Sequence, residues 1–593
     1  MDSVTALREH FGFAAFRPGQ REAVDAALVG RDVLVVMPTG AGKSLCYQLP
    51  ALMRDDLTIV VSPLVSLMQD QVGALAARAP GLVGLVNAQQ DAGANRGVIE
   101  RAVSGDLRLL YVAPERFSSP VFVDRMAAAR VGLFVVDEAH CVSEWGHDFR
   151  PDYFRLADAA RYLGAKAIVA STATATPQVA ADVVRRLALD DPVRVTTGFD
   201  RPNLSFAVVP CKSAAATRKG VIAALSREGA LPAIVYAGTR AACEDLAGRL
   251  GTALGREVLV YHAGLGRAER ARAQDRFMSG EVDVVVATNA FGMGVDKADV
   301  RTVVHATVPQ SLEAYYQEAG RAGRDGRPAR CLLFAEQRAK GLHVFFIERT
   351  AADEGRAAAV AQRVERRAHQ GRYDLGMQEL AAIAGGEVDG VRASLGHLAQ
   401  AGVVRPAPSP PDRAVGRLAA PFDGRARALC RSLAQEARRA RWRQYRSVWA
   451  FVEGDTCRRE AILRHFGDPS SPVVDDGVPC CDVCDAAVRD ELLESIAARI
   501  AAGSGAVAVD GDLDAAILGV VDSAEPSVGR TRTVEILRGG RSRVVRDNHY
   551  DGLPGYGAFA HLSADEVLGH VDGMIAAGRL RSTGGRFPKL ART

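Results

Sequence analysis

The sequence lacks long apolar runs and lacks an excess of charge of one sign. No apolar run approaches the ~18 residues of a membrane-spanning helix, and the start, MDSVTALREH, has no basic segment followed by an apolar one. From these absences we expect neither a helical membrane protein nor a secreted one, but a cytoplasmic protein with no membrane partner. The net charge is only +4 over 593 residues, so bulk charge says little about a polyanionic partner. Lysine is scarce and arginine outnumbers it many-fold, which suits phosphate recognition, although a GC-rich genome produces the same bias.

The first 335 residues alternate short apolar runs with amphipathic stretches. Runs such as VLVV at 33–36, LFVV at 133–136 and VVVA at 284–287 are typical of parallel strands that are buried on both faces. The chain is too long for one hydrophobic core, and GFDRPN at 198–203 interrupts the alternation. We therefore predict an α/β fold with two tandem parallel-sheet domains, at 1–205 and 206–345.

The pattern of apolar residues changes after residue 345. Apolar residues at helical spacing, followed by AGVVR, predict a small winged helix-turn-helix within 346–424. A helical stretch follows with eight arginines and a single glutamate, and it leads into a cluster of cysteines, so we assign a further domain to 425–500. A Gly/Ala/Asp-rich linker precedes the last segment, 512–593, where IAAGRLR echoes the LAQAGVVR of the earlier segment and predicts a second winged helix.

The segment VLVVMPTGAGKS at 33–44 is the most informative in the chain. A strand runs directly into PTGAGKS and a helix follows, which is the context that a phosphate-binding P-loop requires. The glycines let backbone N–H groups close around phosphate oxygens. A lysine then reaches the β- and γ-phosphates, and a serine hydroxyl binds Mg²⁺. The predicted ATP-binding residues of this loop are Thr39, Gly40, Gly42, Lys43 and Ser44.

Two further segments complete the predicted nucleotide site. DEAH at 137–140 follows a buried strand, where Asp137 can hold Mg²⁺ and Glu138 can polarise the attacking water as a general base. The second α/β domain has no P-loop but carries QEAGRAGRDG at 317–326. We expect Arg321 and Arg324 to reach across the interdomain cleft and stabilise the transferring phosphoryl group. The two domains would then close with ATP and open after hydrolysis.

These segments, in this order, resemble the RecQ family of superfamily-two DNA helicases, and a bacterial source is expected. The supporting motifs are FGFAAFRPGQ (11–20), SPLVSLMQDQ (62–71), YVAPER (111–116), DEAHCVSEWGHDFRPDY (137–153), STATATP (171–177), YHAGL (261–265), VVVATNAFGMGVDK (284–297) and YYQEAGRAGRDG (315–326). The resemblance implies two RecA-like motor domains and an adenine site in which Phe13 and Arg17 sandwich the base and Gln20 hydrogen-bonds its edge.

The same resemblance implies a function. The implied function is that of an ATP- and Mg²⁺-dependent helicase that moves 3′ to 5′ on single-stranded DNA and unwinds duplex or branched DNA, in repair and recombination. The implied partners are single-stranded and duplex or forked DNA, with a single-strand-binding protein as a candidate protein partner, in the bacterial cytoplasm or nucleoid. Two other readings are a duplex-bound remodeller that does not unwind and a DNA-binding module whose ATPase has decayed. Five intact residues argue against decay: Lys43, Asp137, Glu138, Arg321 and Arg324.

Residues for DNA contact are carried over from the family's motifs. The aromatic-rich loop after DEAH couples single-strand binding to hydrolysis in the family, because aromatic faces and guanidinium planes stack on unpaired bases at ~1–3 kcal/mol each. Motor-domain contacts are expected to be mostly to phosphates. The residues implied are Trp145, Phe149 and Arg150 of the loop, with His147 beside them, and Ser62, Ser66, Arg116 and Thr288 of the motor motifs.

The cysteine cluster matches the family's structural zinc domain. TCRREAILRHFGD at 456–468 supplies Cys457, whereas the family's C-x2-C-x2-C becomes PCCDVC here, so Cys480 and Cys481 are adjacent and Cys484 follows. A structural Zn²⁺ needs four ligands. Adjacent side chains usually point apart, so the fourth ligand is either Cys480 or a substitute. The substitutes are His465, Asp482 and Asp485.

The two winged-helix-like segments differ in what the resemblance explains. Residues 512–593 resemble the family's C-terminal winged helix, and RLRSTGGRFPKL at 579–590 would form its wing, with Arg586, Phe587 and Lys589 at the fork. In the family the strand-separating role of this wing varies. The segment 346–424 has no counterpart, and three roles stay open for it: DNA binding, partner binding or spacing of the zinc domain.

Overall fold

The structure is a computed structural model that forms two compact units, Met1–Ile496 and Ala497–Thr593. It describes residues 2–63, 65–87, 90–143, 151–292, 295–350, 354–385, 388–407, 409, 412–473, 477–486, 488, 490, 513–540, 542–553, 555–560, 562, 564–583 and 588–593. Within this part of the chain, no helix combines the length and the apolar character needed to cross a membrane.

The first unit begins with a seven-stranded parallel sheet. Its strands are β1 (Val33–Val36), β2 (Leu57–Val61), β3 (Val83–Val86), β4 (Leu109–Val112), β5 (Val131–Asp137), β6 (Ala167–Thr172) and β7 (Val193–Thr196). They are ordered β3-β4-β2-β5-β6-β1-β7. The helices are α1 (Ser3–Phe11), α2 (Gln20–Leu28), α3 (Leu45–Met53), α4 (Val65–Ala76), α5 (Ala92–Ser104), α6 (Pro120–Met126), α7 (Leu156–Tyr162) and α8 (Pro177–Arg186). Every residue of β1, β2, β4, β5 and β6 is buried, as expected of strands covered on both faces.

A six-stranded parallel sheet follows. Its strands are β8 (Leu204–Cys211), β9 (Ala233–Tyr236), β10 (Leu259–Tyr261), β11 (Val284–Ala287), β12 (Thr302–His305) and β13 (Ala329–Glu336), in the order β10-β11-β9-β12-β13-β8. The helices are α9 (Ala214–Leu225), α10 (Arg240–Leu254), α11 (Arg267–Met278), α12 (Leu312–Ala319) and α13 (Ala339–Thr350). The predicted fold class of two tandem parallel-sheet domains is confirmed.

The inserted segment folds around a core of its own. Its elements are α14 (Glu354–Arg367), β14 (Arg372–Gly376), α15 (Met377–Ile383), α16 (Val388–Gln400), β15 (Val404–Pro406) and β16 (Arg413–Leu418). The strands form an antiparallel sheet in the order β14-β16-β15. Leu380, Val391 and Leu398, three of the apolar residues at helical spacing, are fully buried, whereas Ile383 stays exposed. Three helices and a small sheet are the elements of a winged helix.

The helix α17 (Gly424–Glu453) belongs to two cores at once. Ala426 and Cys430, near its start, are buried in the core of the insert. Val448 and Phe451, near its end, are buried in the cluster that also contains residues of both motor sheets. A division at 424/425 therefore marks the start of this helix but does not separate two independent cores. The helix α18 (Arg458–His465) and the cysteines follow.

The second unit is a small helical domain with a two-stranded sheet. Its elements are α19 (Leu513–Ser523), α20 (Arg530–Leu537), α21 (Arg543–Asp547), α22 (Ala564–Ala576), β17 (Leu580–Ser582) and β18 (Leu590–Arg592). The strands pair antiparallel, and the apolar side chains of α19, α20 and α22 share one core. The wing residues Arg586 and Phe587 lie outside the described residues, whereas Lys589 precedes β18.

Candidate nucleotide site and metal centre

The P-loop joins the end of β1 to the start of α3. Gly40 and Gly42 have φ angles of +85° and +83°, a left-handed conformation that glycine adopts without the strain of a Cβ. The Lys43 ammonium donates to the carbonyl of Met37 at 3.1 Å. Burial lowers the pKa of Lys43, and the nearby carboxylates of Glu138 and Asp137 oppose that shift. The lysine is thus held inside the loop, beside the acidic pair.

The segment 11–20 supports the P-loop from one side. The Gln20 amide is buried, donates to the carbonyls of Ala41 and Gly42 at 3.1 Å each, and accepts from the Arg17 backbone N–H at 2.9 Å. The Arg17 guanidinium donates to the Gly40 carbonyl at 2.6 Å. Phe13 is half exposed and lines the cavity that also contains the P-loop residues. This arrangement adds a role that the sequence did not reveal, since Gln20 holds the loop itself. Its contact with a base edge stays a prediction.

The acidic pair lies at the carboxyl end of β5. Asp137 is buried, and burial together with the charge of Glu138 raises its pKa to about 7. Glu138 has a φ of +49°, a left-handed conformation that costs a non-glycine residue energy. A buried carboxyl that ionises with difficulty would be favoured in its charged form by a divalent cation, so the donor set fits Mg²⁺.

Two residues, His140 and Tyr153, connect the acidic pair to neighbouring motifs. His140 Nδ1 lies 3.3 Å from Glu138 Oε2 and 3.0 Å from Thr172 Oγ1, so DEAH is joined to STATATP. The buried Tyr153 hydroxyl donates to the Asp137 carbonyl at 3.1 Å. Because Tyr153 ends the DEAHCVSEWGHDFRPDY motif, the acidic pair is also tied to the segment that follows the aromatic loop.

The second sheet domain contributes two arginines to the same cavity, which has a volume of about 740 Å³. The buried Arg324 side chain forms an ion pair with Asp296 and lies over the P-loop, since a Cβ built on Gly40 would be 3.5 Å from its Cγ. Arg321 is also buried and donates to the Val295 carbonyl at 3.4 Å. Burial lowers the pKa of Arg324, and the positive charge of Arg321 adds to the shift. Arg324 therefore faces the P-loop from across the cleft, and Arg321 lines the same cavity.

Arg201, in the linker GFDRPN, was missed by sequence reasoning, which treated 198–203 only as a domain boundary. Its guanidinium lies within hydrogen-bonding distance of four carbonyls: Thr39 at 3.5 Å, Gly320 at 3.4 Å, and Ala322 and Gly323 at 3.1 Å each. The first belongs to the P-loop and the others to the loop that carries the two arginines. The signal available in the sequence was an arginine placed at a break between two predicted domains.

The cysteine module, residues 454–485, holds the same linker from the other side. The buried Arg459 guanidinium donates to both carboxylate oxygens of Asp200 at 2.7 Å. The Phe199 N–H donates to Asp468 Oδ2 at 2.8 Å, and the Phe199 ring stacks on Phe466 with 4.4 Å between centroids. The module also pairs with the strand β8 that follows the linker, because the Phe206 N–H donates to the Cys480 carbonyl at 3.2 Å.

The four clustered cysteines place their sulfur atoms within 4.8 Å of one another. Cys457 Sγ lies 3.5 Å from Cys480 Sγ and 3.9 Å from Cys481 Sγ. A tetrahedral zinc with bonds of about 2.3 Å separates its sulfur ligands by about 3.8 Å, so the cluster fits Zn²⁺. Cys480 does turn inward despite its adjacency to Cys481.

The predicted substitutes for Cys480 face elsewhere. Asp482 forms a bidentate ion pair with the buried Arg458, at 2.9 and 3.0 Å, and His465 pairs with Glu313 at 2.9 Å. Asp485 is outside the metal-binding group found among the described residues. The other six cysteines are buried, as expected for structural thiols.

The structure describes only some of the residues carried over for DNA contact. Ser62 is buried, and within the described part of the chain its hydroxyl has no hydrogen-bond partner. Arg116 donates to the Asn87 carbonyl at 2.9 Å, and Thr288 accepts from the Ala290 N–H at 3.4 Å. The remaining candidates, Trp145, Phe149, Arg150 and the side chain of Ser66, lie outside the described residues, as does His147. The DNA roles of all of these residues stay predictions.

Comparison with known proteins agrees with this architecture. Four family models match the chain: DEAD/DEAH box helicase over 17–183, helicase conserved C-terminal domain over 218–326, RecQ zinc-binding over 424–485 and RQC domain over 508–593. Two parallel-sheet domains that share a P-loop cavity define the class, a DEAD/DEAH box helicase motor. The matches to the RecQ zinc-binding model and to the RQC domain model identify the family within this class. The chain belongs to the RecQ family.

Curated relatives share the motor region. The chain is 41% identical over 328 residues to a probable ATP-dependent DNA helicase RecS of Bacillus subtilis, covering 55% of this chain and 65% of the relative. It is 43% identical over 336 residues to the ATP-dependent DNA helicase RecQ of Haemophilus influenzae, covering 56% of this chain and 53% of the relative. The chain therefore spans about half to two thirds of the length of these relatives.

Proposed function

We propose that this chain is an ATP-dependent DNA helicase. The observation that carries the proposal is the single cavity to which both motor domains contribute, with Lys43, Asp137 and Glu138 on one side and Arg321 and Arg324 on the other. Because each domain supplies part of the site, a change in the bound nucleotide changes the contacts that hold the domains together. Such a change converts hydrolysis into relative movement of the two domains. The relatives, named as ATP-dependent DNA helicases, support DNA as the track.

Each residue of the cavity has a distinct chemical role in this proposal. The backbone N–H groups of residues 39–44 cradle the phosphates and Lys43 neutralises their charge. The Ser44 hydroxyl and the Asp137 carboxylate hold Mg²⁺, which supplies further positive charge to the phosphates when bound. Glu138 orients the attacking water and accepts its proton. Arg321 and Arg324 stabilise the negative charge that develops on the γ-phosphoryl group.

Coupling to DNA follows from the contacts around the acidic pair. Tyr153 and His140 connect Asp137 and Glu138 to the segments on either side of the aromatic loop. We propose that Trp145, Phe149 and Arg150 of that loop stack on unpaired bases and that their engagement adjusts the acidic pair. Movement from 3′ to 5′, a role in repair and recombination, and contact with a single-strand-binding protein rest on the family resemblance and are part of the proposal.

The zinc site completes the proposal. Cys457, Cys480, Cys481 and Cys484 hold a structural Zn²⁺, which fixes the cysteine module against the interdomain linker and β8. No open ligand position is left for catalysis when four thiolates surround the metal. The role of zinc here is to hold together residues that position the linker.

The rate of ATP hydrolysis tests the proposal when it is measured with Mg²⁺ and single-stranded DNA, duplex DNA, RNA or no nucleic acid. We expect single-stranded DNA to give the largest stimulation. We expect Lys43→Ala to abolish hydrolysis in every case while DNA binding stays measurable, because the lysine acts on the phosphates and not on DNA. Absence of stimulation by any nucleic acid would contradict a motor. Stimulation by duplex alone would instead support a remodeller.

A further inference from the structure

The long helix α17 has an exposed face of one charge. Arg431, Arg438, Arg439 and Arg446 are all exposed on it, and we call this set the arginine face. At 1.5 Å per residue, the face extends over about 22 Å. A single acidic residue, Glu436, lies on the same stretch.

Most of these arginines carry no neutralising partner. Within the described residues, Arg438, Arg439 and Arg446 have no carboxylate within salt-bridge distance, whereas exposed arginines elsewhere, such as Arg413 and Arg464, do pair with acids. The arginines also crowd one another. Burial lowers the pKa of the neighbouring Arg443, and the charges of Arg446 and Arg439 lower it further. This face is therefore a region of uncompensated positive potential that an anionic partner would relieve.

The helix holds these arginines in fixed positions relative to the motor. Its first turns are buried in the core of the insert and its last turns in the core shared by the motor domains. Trp442 lies between Arg439 and Arg446 in sequence, and its ring packs edge-on against Tyr445 at 5.5 Å between centroids. A rigid row of guanidinium groups with an aromatic ring among them is a surface suited to a nucleic-acid strand.

We propose that the arginine face binds the sugar-phosphate backbone of DNA outside the motor cleft, and that the inserted winged helix serves to hold this helix in place. The proposal rests on the proposed function, since it places a second DNA contact on the same motor. Binding through phosphates has no sequence preference, which a translocating enzyme requires. The single sign of charge and the length of the face favour a continuous polyanion.

The test compares the salt dependence of DNA binding in two triple variants. Arg438→Gln, Arg439→Gln and Arg446→Gln together remove the face, whereas Arg96→Gln, Arg125→Gln and Arg194→Gln remove three exposed arginines of the first sheet domain as a matched control. Fluorescence anisotropy is measured with a 20-nucleotide strand and a 20-base-pair duplex over a KCl series, without nucleotide. These oligonucleotides are about the length of the face or longer.

Each lost phosphate contact lowers the slope of log K against log salt by about 0.9 for duplex and about 0.7 for a single strand. We expect the face variant to lose about 2 to 3 from the slope with whichever form binds there, and to bind it roughly tenfold or more weakly at low salt. The control variant should match the wild type. The form of DNA that shows the loss identifies the strand or the duplex as the occupant.

The outcomes separate this proposal from the proposed function. A face variant whose slope and affinity equal those of the control for both DNA forms overturns the arginine face and leaves the helicase proposal intact. A wild-type protein that binds neither form overturns both. Stimulation of ATP hydrolysis by saturating single-stranded DNA should be kept in the face variant, which shows that the variant is folded and that its motor contacts are intact.

Discussion

Four carbonyl oxygens surround the guanidinium of Arg201, one from the P-loop and three from residues 320–323. The side chain lies in neither loop but between them, on the linker that connects the two sheet domains. Within the P-loop it contacts the carbonyl of Thr39 and none of the side chains proposed to act on phosphate, so we infer that its role is to position them. An arginine is suited to this place because its planar fork offers several donors at once.

We predict that Arg201→Ala lowers the kcat of ATP hydrolysis by about 100-fold, because a misplacement of about 1 Å in a catalytic group can cost that much. Arg201→Lys should restore little, since a lysine cannot donate to four carbonyls in a fork. Steady-state kinetics at saturating single-stranded DNA measure the effect, with Arg194→Ala on β7 as the control. If the kcat of Arg201→Ala equals that of the wild type, the contacts of Arg201 with the two loops do not position the site.

At the scale of elements, the cysteine module is attached to the interdomain linker by an ion pair, a hydrogen bond and a ring stack, through Arg459, Asp468 and Phe466. The module also continues the edge of the second sheet at β8. We therefore expect zinc binding and the geometry of the linker to be coupled, because the same short segment holds both the cysteines and the residues that contact the linker.

We predict about one zinc per purified chain, and a lower content in Cys480→Ser, because a structural site requires four ligands. Metal analysis by mass spectrometry measures the content. The buried Cys243 lies on α10, away from the cluster, so Cys243→Ser is the matched control and should keep its zinc. Equal zinc content in Cys480→Ser and the wild type would remove Cys480 from the ligand set.

The insert contains a group that makes its stability depend on pH. His397 on α16 is almost fully buried, and burial together with the charge of Arg441 lowers its pKa to about 4. The unfolded pKa is near 6.5, so the unfolded insert binds a proton that the folded insert excludes. The resulting stability is fully present above about pH 6.5 and is lost as the pH falls from about 6.5 to about 4.

At pH 5 this linkage should cost the insert about 2 kcal/mol relative to pH 7. We predict that His397→Gln, which cannot take up a proton, removes that part of the pH dependence. Hydrogen exchange of the α16 amides at both pH values, corrected for intrinsic rates, measures the free energy of opening. A variant with the same pH dependence as the wild type would show that His397 does not titrate in this window.

Sequence patterns predicted what is local in the chain and missed what depends on distant contacts. The strand–loop–helix at 33–44 and the acidic pair after β5 follow from neighbouring residues, so both could be read directly. Gln20 contacts a loop more than twenty residues away, and Arg201 contacts two loops at once, so their roles required the fold. Asp482 was a plausible zinc ligand until its ion pair with Arg458 became visible. The family resemblance did not explain the insert, and its joining to the motor through α17 became evident only in the structure.

At the scale of the whole molecule, contacts connect the nucleotide cavity to the linker and the linker to the cysteine module, all within the first unit. The P-loop contacts Arg201, the linker contacts Arg459, and α17 packs against both the module's α18 and the insert. Closure of the cleft around ATP would therefore change the surroundings of the linker and the module together. This connection is how a cycle of hydrolysis could move DNA that is held outside the cleft.

The measurement that tests the central claim most directly is strand separation. A duplex with a 3′ single-stranded tail, one with a 5′ tail and one with blunt ends are each incubated with ATP and Mg²⁺, and the released strand is followed over time. We predict unwinding of the 3′-tailed duplex, little or none of the other two, and none by Lys43→Ala. ATP hydrolysis that DNA stimulates without release of a strand from any of the three duplexes would contradict the claim that this chain is a helicase.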